Sequence, residues 1–242
     1  MYLSRDFEML VFGNEGFPIV LFPPEKGRYF TNKDFGLINS VSDLLDSDKI
    51  KIYCPDGIDN DSWYNYSIHP ADRIKTHNGY ENLILYDVIA FAKHETGKNK
   101  VCLAGCGFGA YHALNTGMRH PDLVDSIILL GGFYNIRQFI YGFYNDDAYF
   151  NSPLDYLPGL EDSWYLDRIR KMKIIIGTGD NDLYLEENKQ LSSVFLNKQI
   201  DHWLDIKQGA GHDWNWWKEM FPDYLKRLTI VQNKKSARLI SD

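Results

Sequence analysis

The sequence predicts an α/β protein built on one mostly parallel sheet with helices on both faces. Three observations carry that expectation. Short apolar, β-branched runs recur along the chain, the segments between them show helical spacing, and each run stops near Gly, Pro or Asp. A chain of 242 residues with 44% hydrophobic, 24% charged and 15% aromatic side chains can bury a core without disulfides or metals. That composition excludes a disordered, collagen-like or coiled-coil protein. A single domain over residues 1–242 is expected.

In chain order the predicted strands are Met9–Phe12, Pro18–Phe22, Ile50–Cys54, Val101–Ala104, Ser126–Leu130, Lys173–Ile176 and His202–Ile206. The first two flank a Gly-Asn-Glu-Gly turn, which predicts an antiparallel hairpin at the sheet's edge. From the second run onward helical segments intervene, as in Leu83, Ile84, Asp87, Val88 and Phe91, or Leu191, Val194 and Phe195. Strands alternating with helices pair in parallel and are covered on both faces. About forty residues separate the fifth run from the sixth, so a small cap-like insertion is expected at about 133–170. Its aromatic residues, Tyr134, Phe139, Tyr141, Phe143, Tyr144, Tyr149 and Phe150, either line a pocket or pack the insertion onto the body, and packing is the favoured reading. The polar segment 232–242 reads as a frayed tail.

With 26 Lys plus Arg against 33 Asp plus Glu the net charge is −7, which denies a nucleic-acid partner the broad basic surface it needs. The first residues lack the apolar core of a secretory signal, and no apolar run approaches a membrane span, so a cytoplasmic protein with no membrane partner is expected. Cys54, Cys102 and Cys106 form no Cys-x-x-Cys pair and read as reduced thiols. His69, His77, His94, His112, His120 and His202 show no metal-ligand spacing and read as packing or surface residues. Neither a metal nor a cofactor is expected.

The segment Val101-Cys-Leu-Ala-Gly-Cys-Gly-Phe-Gly-Ala110 is a buried strand entering a tight turn that opens into a helix. Two chemistries use such a turn. As Gly105-x-Gly107-x-x-Ala110 it matches a dinucleotide fingerprint, but the following strand ends in Gly131-Gly132 where the ribose-binding acid belongs, and Asp122 and Asp125 precede that strand. As a nucleophile elbow, Gly105 and Gly109 are the small flanking residues and Gly107 stands at the nucleophile's position, where serine is absent. Shifting the frame to make Cys106 the nucleophile puts the bulk of Phe108 at a position that must be small, so Cys106 reads as a buried structural thiol.

The rest of a hydrolase site follows in the chain order nucleophile, acid, base. Gly177-Thr-Gly-Asp180-Asn-Asp182 places an acid at a strand's carboxyl end, and Gly209-Ala-Gly-His212-Asp-Trp214 places a histidine on a Gly-rich loop before the last helix. Asp180, immediately past the strand, is the preferred acid, with Asp182 as the cap of the next helix. Oxyanion donors are expected from the Phe108 N–H and from the loop after Phe22, where Pro23 and Pro24 have no N–H and Glu25, Lys26 or Gly27 remains; Lys26 and Gly27 are taken as the candidates. Arg28 offers either a cation for a substrate anion or a surface salt bridge, and Trp214 beside the histidine is a second substrate-binding candidate.

At these residues the chain resembles the putative-esterase family of α/β-hydrolases, which includes feruloyl-esterase-like and S-formylglutathione-hydrolase-like enzymes. The elbow, Gly177-Thr-Gly-Asp180, the Gly-His212-Asp-Trp loop, the Pro-rich turn after Phe22 and Asp61-Ser-Trp-Tyr64 carry the resemblance over roughly residues 8–228. It implies an α/β-hydrolase fold and a small-molecule ester or acyl ligand. It also places the family's Ser nucleophile on Gly107, its acid on Asp180 and its base on His212. Acyl-enzyme chemistry needs an attacking oxygen, so the expectation is an esterase scaffold nearly inactive as an esterase, either a natural pseudoenzyme or an inactivated variant. The alternatives are a hydrolase in which His212 activates water and a dinucleotide-binding protein.

Overall fold

The structure, a computed structural model, describes the backbone of residues 5–239 and the side chains of residues 5–228. Seven strands form one sheet in the order β1-β3-β2-β4-β5-β6-β7. They are β1 Met9–Phe12, β2 Phe17–Phe22, β3 Ile50–Pro55, β4 Val101–Cys106, β5 Val124–Leu130, β6 Lys173–Gly179 and β7 His202–Lys207. Every predicted apolar run is a strand, and β2 through β7 pair in parallel.

The predicted hairpin does not form. β1 pairs antiparallel with β3, Met9 opposite Pro55, and β3 lies between β1 and β2. Residues 13–16 therefore cross the end of β3 instead of making a two-strand turn. Gly16 passes so close that a Cβ there would lie 2.4 Å from the Ile50 nitrogen, which explains a glycine at a left-handed φ of 114°. Lys51 Nζ donates to the Asn14 carbonyl and fastens the crossing.

Alternation along the strands divides the core into two layers. Val20, Phe22, Leu103, Ile127, Leu129, Ile174 and Ile176 face the helices Pro70–Leu83, Phe108–Arg119 and Leu185–Asn197. Ile19, Leu21, Cys102, Ala104, Cys106, Ile128, Leu130 and Ile175 face the opposite layer, which includes Trp217, Phe221 and Tyr224 of the helix Trp214–Leu239. That helix continues through much of the segment expected as a frayed tail, and residues 240–242 lie outside the described residues. Between β5 and β6 the chain makes a 3₁₀ turn at Ile136–Phe139 and short helices at Asp146–Phe150, Pro153–Gly159 and Ser163–Ile169. Among the described residues no helix is long and apolar enough to cross a membrane.

Strand order reverses between β2 and β4, so the crevice at their carboxyl ends is a topological switch point. Phe22 is opposite Gly105, Cys106 opposite Leu130 and Leu130 opposite Gly177. The loops that leave β2, β4, β5 and β6 consequently emerge side by side at one edge.

Candidate active site

Gly107 follows the buried strand β4 and caps the helix Phe108–Arg119 with φ 54° and ψ −118°. A side chain at this left-handed φ is strained, and glycine removes the strain. Its N–H donates to the Leu130 carbonyl at 2.9 Å, and its own carbonyl accepts from Ala110 N–H at 3.1 Å, so the turn is fixed on both sides. The flanking glycines are needed for close approach. A Cβ on Gly105 would lie 2.2 Å from the Gly109 carbonyl carbon, and one on Gly109 would lie 2.5 Å from the Pro23 oxygen. The same contact that demands these glycines brings the loop after β2 against the elbow.

His212 hangs over this turn. Its Nε2 lies 3.3 Å, and its Cε1 3.5 Å, from the point where a Cβ of residue 107 would sit. The other ring nitrogen, Nδ1, meets Asp182 at 3.1 Å to Oδ1 and 3.2 Å to Oδ2. The Asp182 side chain is 1% exposed and that of His212 21%, so a nearly dry carboxylate orients a ring whose far edge reaches the crevice. Trp217 meets the imidazole edge-on at 4.9 Å between ring centres and Tyr184 does so at 5.1 Å, leaving the ring little freedom to turn. Asp182 Oδ1 also accepts the Tyr184 N–H at 2.9 Å.

Asp180, the preferred acid from the sequence, does not reach His212. Strand β6 runs on to Gly179, three residues past its predicted end, and Asp180 turns back to β7: its N–H donates to the Lys207 carbonyl, and its Oδ1 accepts the Gly209 N–H at 2.7 Å. The residue that enters the site is Asp182. Gly131, at φ 55°, lies beneath the pair, where a Cβ would come within 2.6 Å of Asp182 Oδ2 and 3.1 Å of His212 Nδ1. The Gly131-Gly132 dipeptide that ends β5 is thus a legible sign of something packed against the strand end.

The expected oxyanion donors divide. Phe108 opens its helix, where the N–H has no intrahelical acceptor. The Lys26 N–H is spent on Asp59 Oδ2 at 2.9 Å, and the Gly27 N–H on the Pro24 carbonyl at 2.8 Å. Neither amide can turn to the crevice without breaking the loop's own bonds, which leaves the Glu25 N–H of the three that follow the prolines. Arg28 is drawn away as well, donating from Nε to Asp56 Oδ1 at 2.6 Å and pairing with Glu8. Trp214 stacks on Phe35 at 4.7 Å and touches Trp217; Trp217 is the indole that meets the histidine.

Aromatic residues absent from the sequence-based site surround its mouth. Tyr64 packs against Phe108 and Phe139, with Lys26 Nζ 4.3 Å above its ring. Burial and the neighbouring Glu25 push the Tyr64 hydroxyl well above the usual tyrosine range. Burial likewise raises Tyr184, with Glu25, Glu187 and Asp182 adding to it. Both phenols therefore stay neutral hydrogen-bonding groups at physiological pH. Burial raises the Cys106 thiol far above the range of a reactive cysteine. Among the described residues no cluster of His, Cys, Asp and Glu could hold a metal ion.

The sequence profile of the Putative esterase family matches residues 31–228. Several solved structures share the architecture. A ferulic acid esterase superposes with a TM-score of 0.75 at 18% identity, covering 95% of this chain and 94% of its own. An S-formylglutathione hydrolase from Agrobacterium tumefaciens gives 0.69 at 12% identity, covering 92% and 88%. Its counterpart from Staphylococcus aureus gives 0.61 at 13%, covering 90% and 82%. No curated protein sequence matches the chain.

Proposed function

Since the chain belongs to the Putative esterase family, we propose that it is an ester-binding member that cannot form an acyl-enzyme, because Gly107 stands where the attacking side chain would be. One observation carries this reading: His212 Nε2 lies 3.3 Å from the Cβ position of residue 107 while Nδ1 is held by Asp182. That is the arrangement of a base, its orienting acid and an absent third member. Asp182 fixes the imidazole's tautomer and would stabilise its cation. The Phe108 N–H faces developing charge on a carbonyl oxygen, with the Glu25 N–H as its partner. The ligand is a small ester or acyl compound whose carbonyl rests over the elbow. Removing the nucleophile of a serine hydrolase costs about a million-fold in turnover, so hydrolysis by the protein stays near background.

Restoring the hydroxyl tests this. Gly107→Ser is expected to raise hydrolysis of p-nitrophenyl acetate by at least about a thousand-fold, and to create stoichiometric labelling by a fluorophosphonate at residue 107. His212→Ala in that background is expected to abolish both. A folded Gly107→Ser variant that stays inert, or fluorophosphonate labelling of the unaltered protein on another serine, would show that the nucleophile's position has been misassigned.

A further inference from the structure

At the end of the elbow helix Phe108–Arg119 remote from Gly107, a second cavity of about 520 Å³ opens between the body and the insertion. A rise of 1.5 Å per residue over that helix puts it roughly 18 Å from the elbow. Its volume lies within the range of small-molecule sites, about 300–1,000 Å³. The buried wall is a closed hydrogen-bond network. Asn151, 1% exposed, accepts from Asn115 Nδ2 and Arg119 Nη1, both at 2.9 Å, and donates to Asn78 Oδ1 at 2.8 Å and the Asp147 carbonyl at 2.9 Å. Tyr156 commits its hydroxyl to Asn115 and has its ring left for the cavity. Phe150, on the same lining, is 53% exposed, an aromatic ring left largely in water.

The charges around this space are unbalanced. Its two basic residues both turn to one buried carboxylate, Arg119 Nη1 to Glu81 Oε2 at 2.6 Å and His120 Nε2 to Glu81 Oε1 at 3.3 Å. Two further carboxylates line the cavity without an ion pair among the described residues. Asp147 Oδ1 accepts from Asn78, and Asp162 Oδ1 caps the helix Ser163–Ile169 by accepting the Trp164 N–H. The carboxyl end of the elbow helix, at Arg119, adds partial negative charge. With Arg119 answered by Glu81, what the cavity offers a ligand is negative charge beside aromatic rings.

We propose that this cavity binds a small organic cation, an ammonium group carried on an apolar body, at a site separate from the crevice over Gly107. The ammonium donates to Asp147 and Asp162, and the body packs on Phe150, Tyr156 and Met118, where the ring faces also attract the charge. A carboxylate of the same shape meets two unpaired like charges and is refused. The site is independent of what stands at residue 107, so it holds whether or not the crevice above the elbow is an esterase site.

The test titrates the unaltered protein with 2-phenylethylammonium, 2-phenylethanol and phenylacetate, which share an aromatic body and differ in the head group. Calorimetry gives the affinities, and amide NMR shifts give the place. The expected result is saturable binding of the ammonium at least about ten-fold tighter than the alcohol, the gain of a charge-assisted hydrogen bond. Phenylacetate should not bind, and the shifts should centre on Phe150, Asn151 and Asp162. The double variant Asp147→Asn with Asp162→Asn removes both charges while asparagine keeps an acceptor for Asn78 and a cap for Trp164. It should bring the affinity for the ammonium down to that for the alcohol, with the melting temperature unchanged. Absence of saturable binding, equal affinity for ammonium and alcohol, or phenylacetate binding as tightly as the ammonium overturns the proposal. So does ammonium binding undiminished in the double variant, or shifts centred on Phe108 and His212, because either places the cation elsewhere.

Discussion

Two histidine–carboxylate pairs among the described residues, His212–Asp182 and His112–Asp59, are hydrogen-bonded alike and surrounded differently. In the first, His212 uses Nδ1 for Asp182 and keeps Nε2 over Gly107 at a partly exposed edge. In the second, His112 uses Nε2 for Asp59 at 2.9 Å, with side chains only 4% and 2% exposed. Phe22, Phe108, Tyr80, Tyr111 and His77 close around the second ring. The two pairs share their chemistry and differ in what lies beyond the imidazole: a crevice in one case, aromatic packing in the other. Asp59 also accepts the Lys26 N–H, so the buried pair fastens the elbow helix to the loop after β2. In the proposed reading, what each pair can do depends on which ring nitrogen is left over and what it faces.

The largest expected effect separates the two carboxylates by activity. In the Gly107→Ser background, Asp182→Asn should lower turnover by about ten-thousand-fold, the cost of presenting the wrong tautomer in a serine-protease triad. Melting temperature should change little. Equal losses of turnover for Asp182→Asn and Asp59→Asn would erase the distinction drawn between the pairs.

Stability should reverse that ranking. Asp59→Ala leaves the buried His112 ring nitrogen without its partner and frees the part-buried Lys26 N–H, at a cost of about 1–3 kcal/mol. Equilibrium urea unfolding measures it, and a loss below half of the lower figure would mean that water or a shifted loop replaces the carboxylate. Asp180→Ala lies further down the scale. It removes one bond to the Gly209 N–H at an exposed position, so about 1 kcal/mol of stability is expected, with turnover of the Gly107→Ser variant unchanged. A thousand-fold loss there would restore Asp180 as the orienting acid.

The contrast between Asp180 and Asp182 also shows what the chain discloses by itself. Strands β2 to β6 are visible because a parallel strand buried on both faces is largely apolar, whereas β1 and β7, partly exposed at the sheet's edges, show only short apolar runs. The fold class follows from that, and the elbow is visible because Gly105 and Gly109 serve a contact within five residues of each other. The strand pairing of β1 is not, because the Gly13–Gly16 segment reads as a hairpin until β3, some forty residues on, claims the place between. Sequence proximity to the strand favours Asp180, but Gly177, Thr178 and Gly179 extend β6 three residues beyond its predicted end, so Asp180 turns to β7 and Asp182 enters the site. The Lys26 amide looks available because Asp59, its acceptor, is 33 positions away. Local chemistry is legible where local sterics dictate it, and obscured wherever a distant partner has already taken the group.

The last effect is confined to acidic pH and concerns the ring packed beside the buried pair. His77 is enclosed by Trp63, Tyr111 and His112, and its Nδ1 has no partner among the described residues. Burial holds its pKa well below the ordinary 6.5, with neighbouring His112 and Arg119 lowering it further and Asn151 opposing them. Above pH 6.5 the residue is neutral folded or unfolded, and its contribution to stability is complete. As pH falls below that value the unfolded chain takes up a proton that the folded chain refuses, so stability declines toward the depressed folded pKa. One such group contributes at most about 1.4 kcal/mol per pH unit. His77→Phe, which keeps a ring in the aromatic cluster, should flatten the decline between about pH 6.5 and 5 by up to that slope. Urea unfolding across that window measures it. An unchanged slope would mean that the folded protein accepts the proton, and that the aromatic wall behind the second pair is open to water.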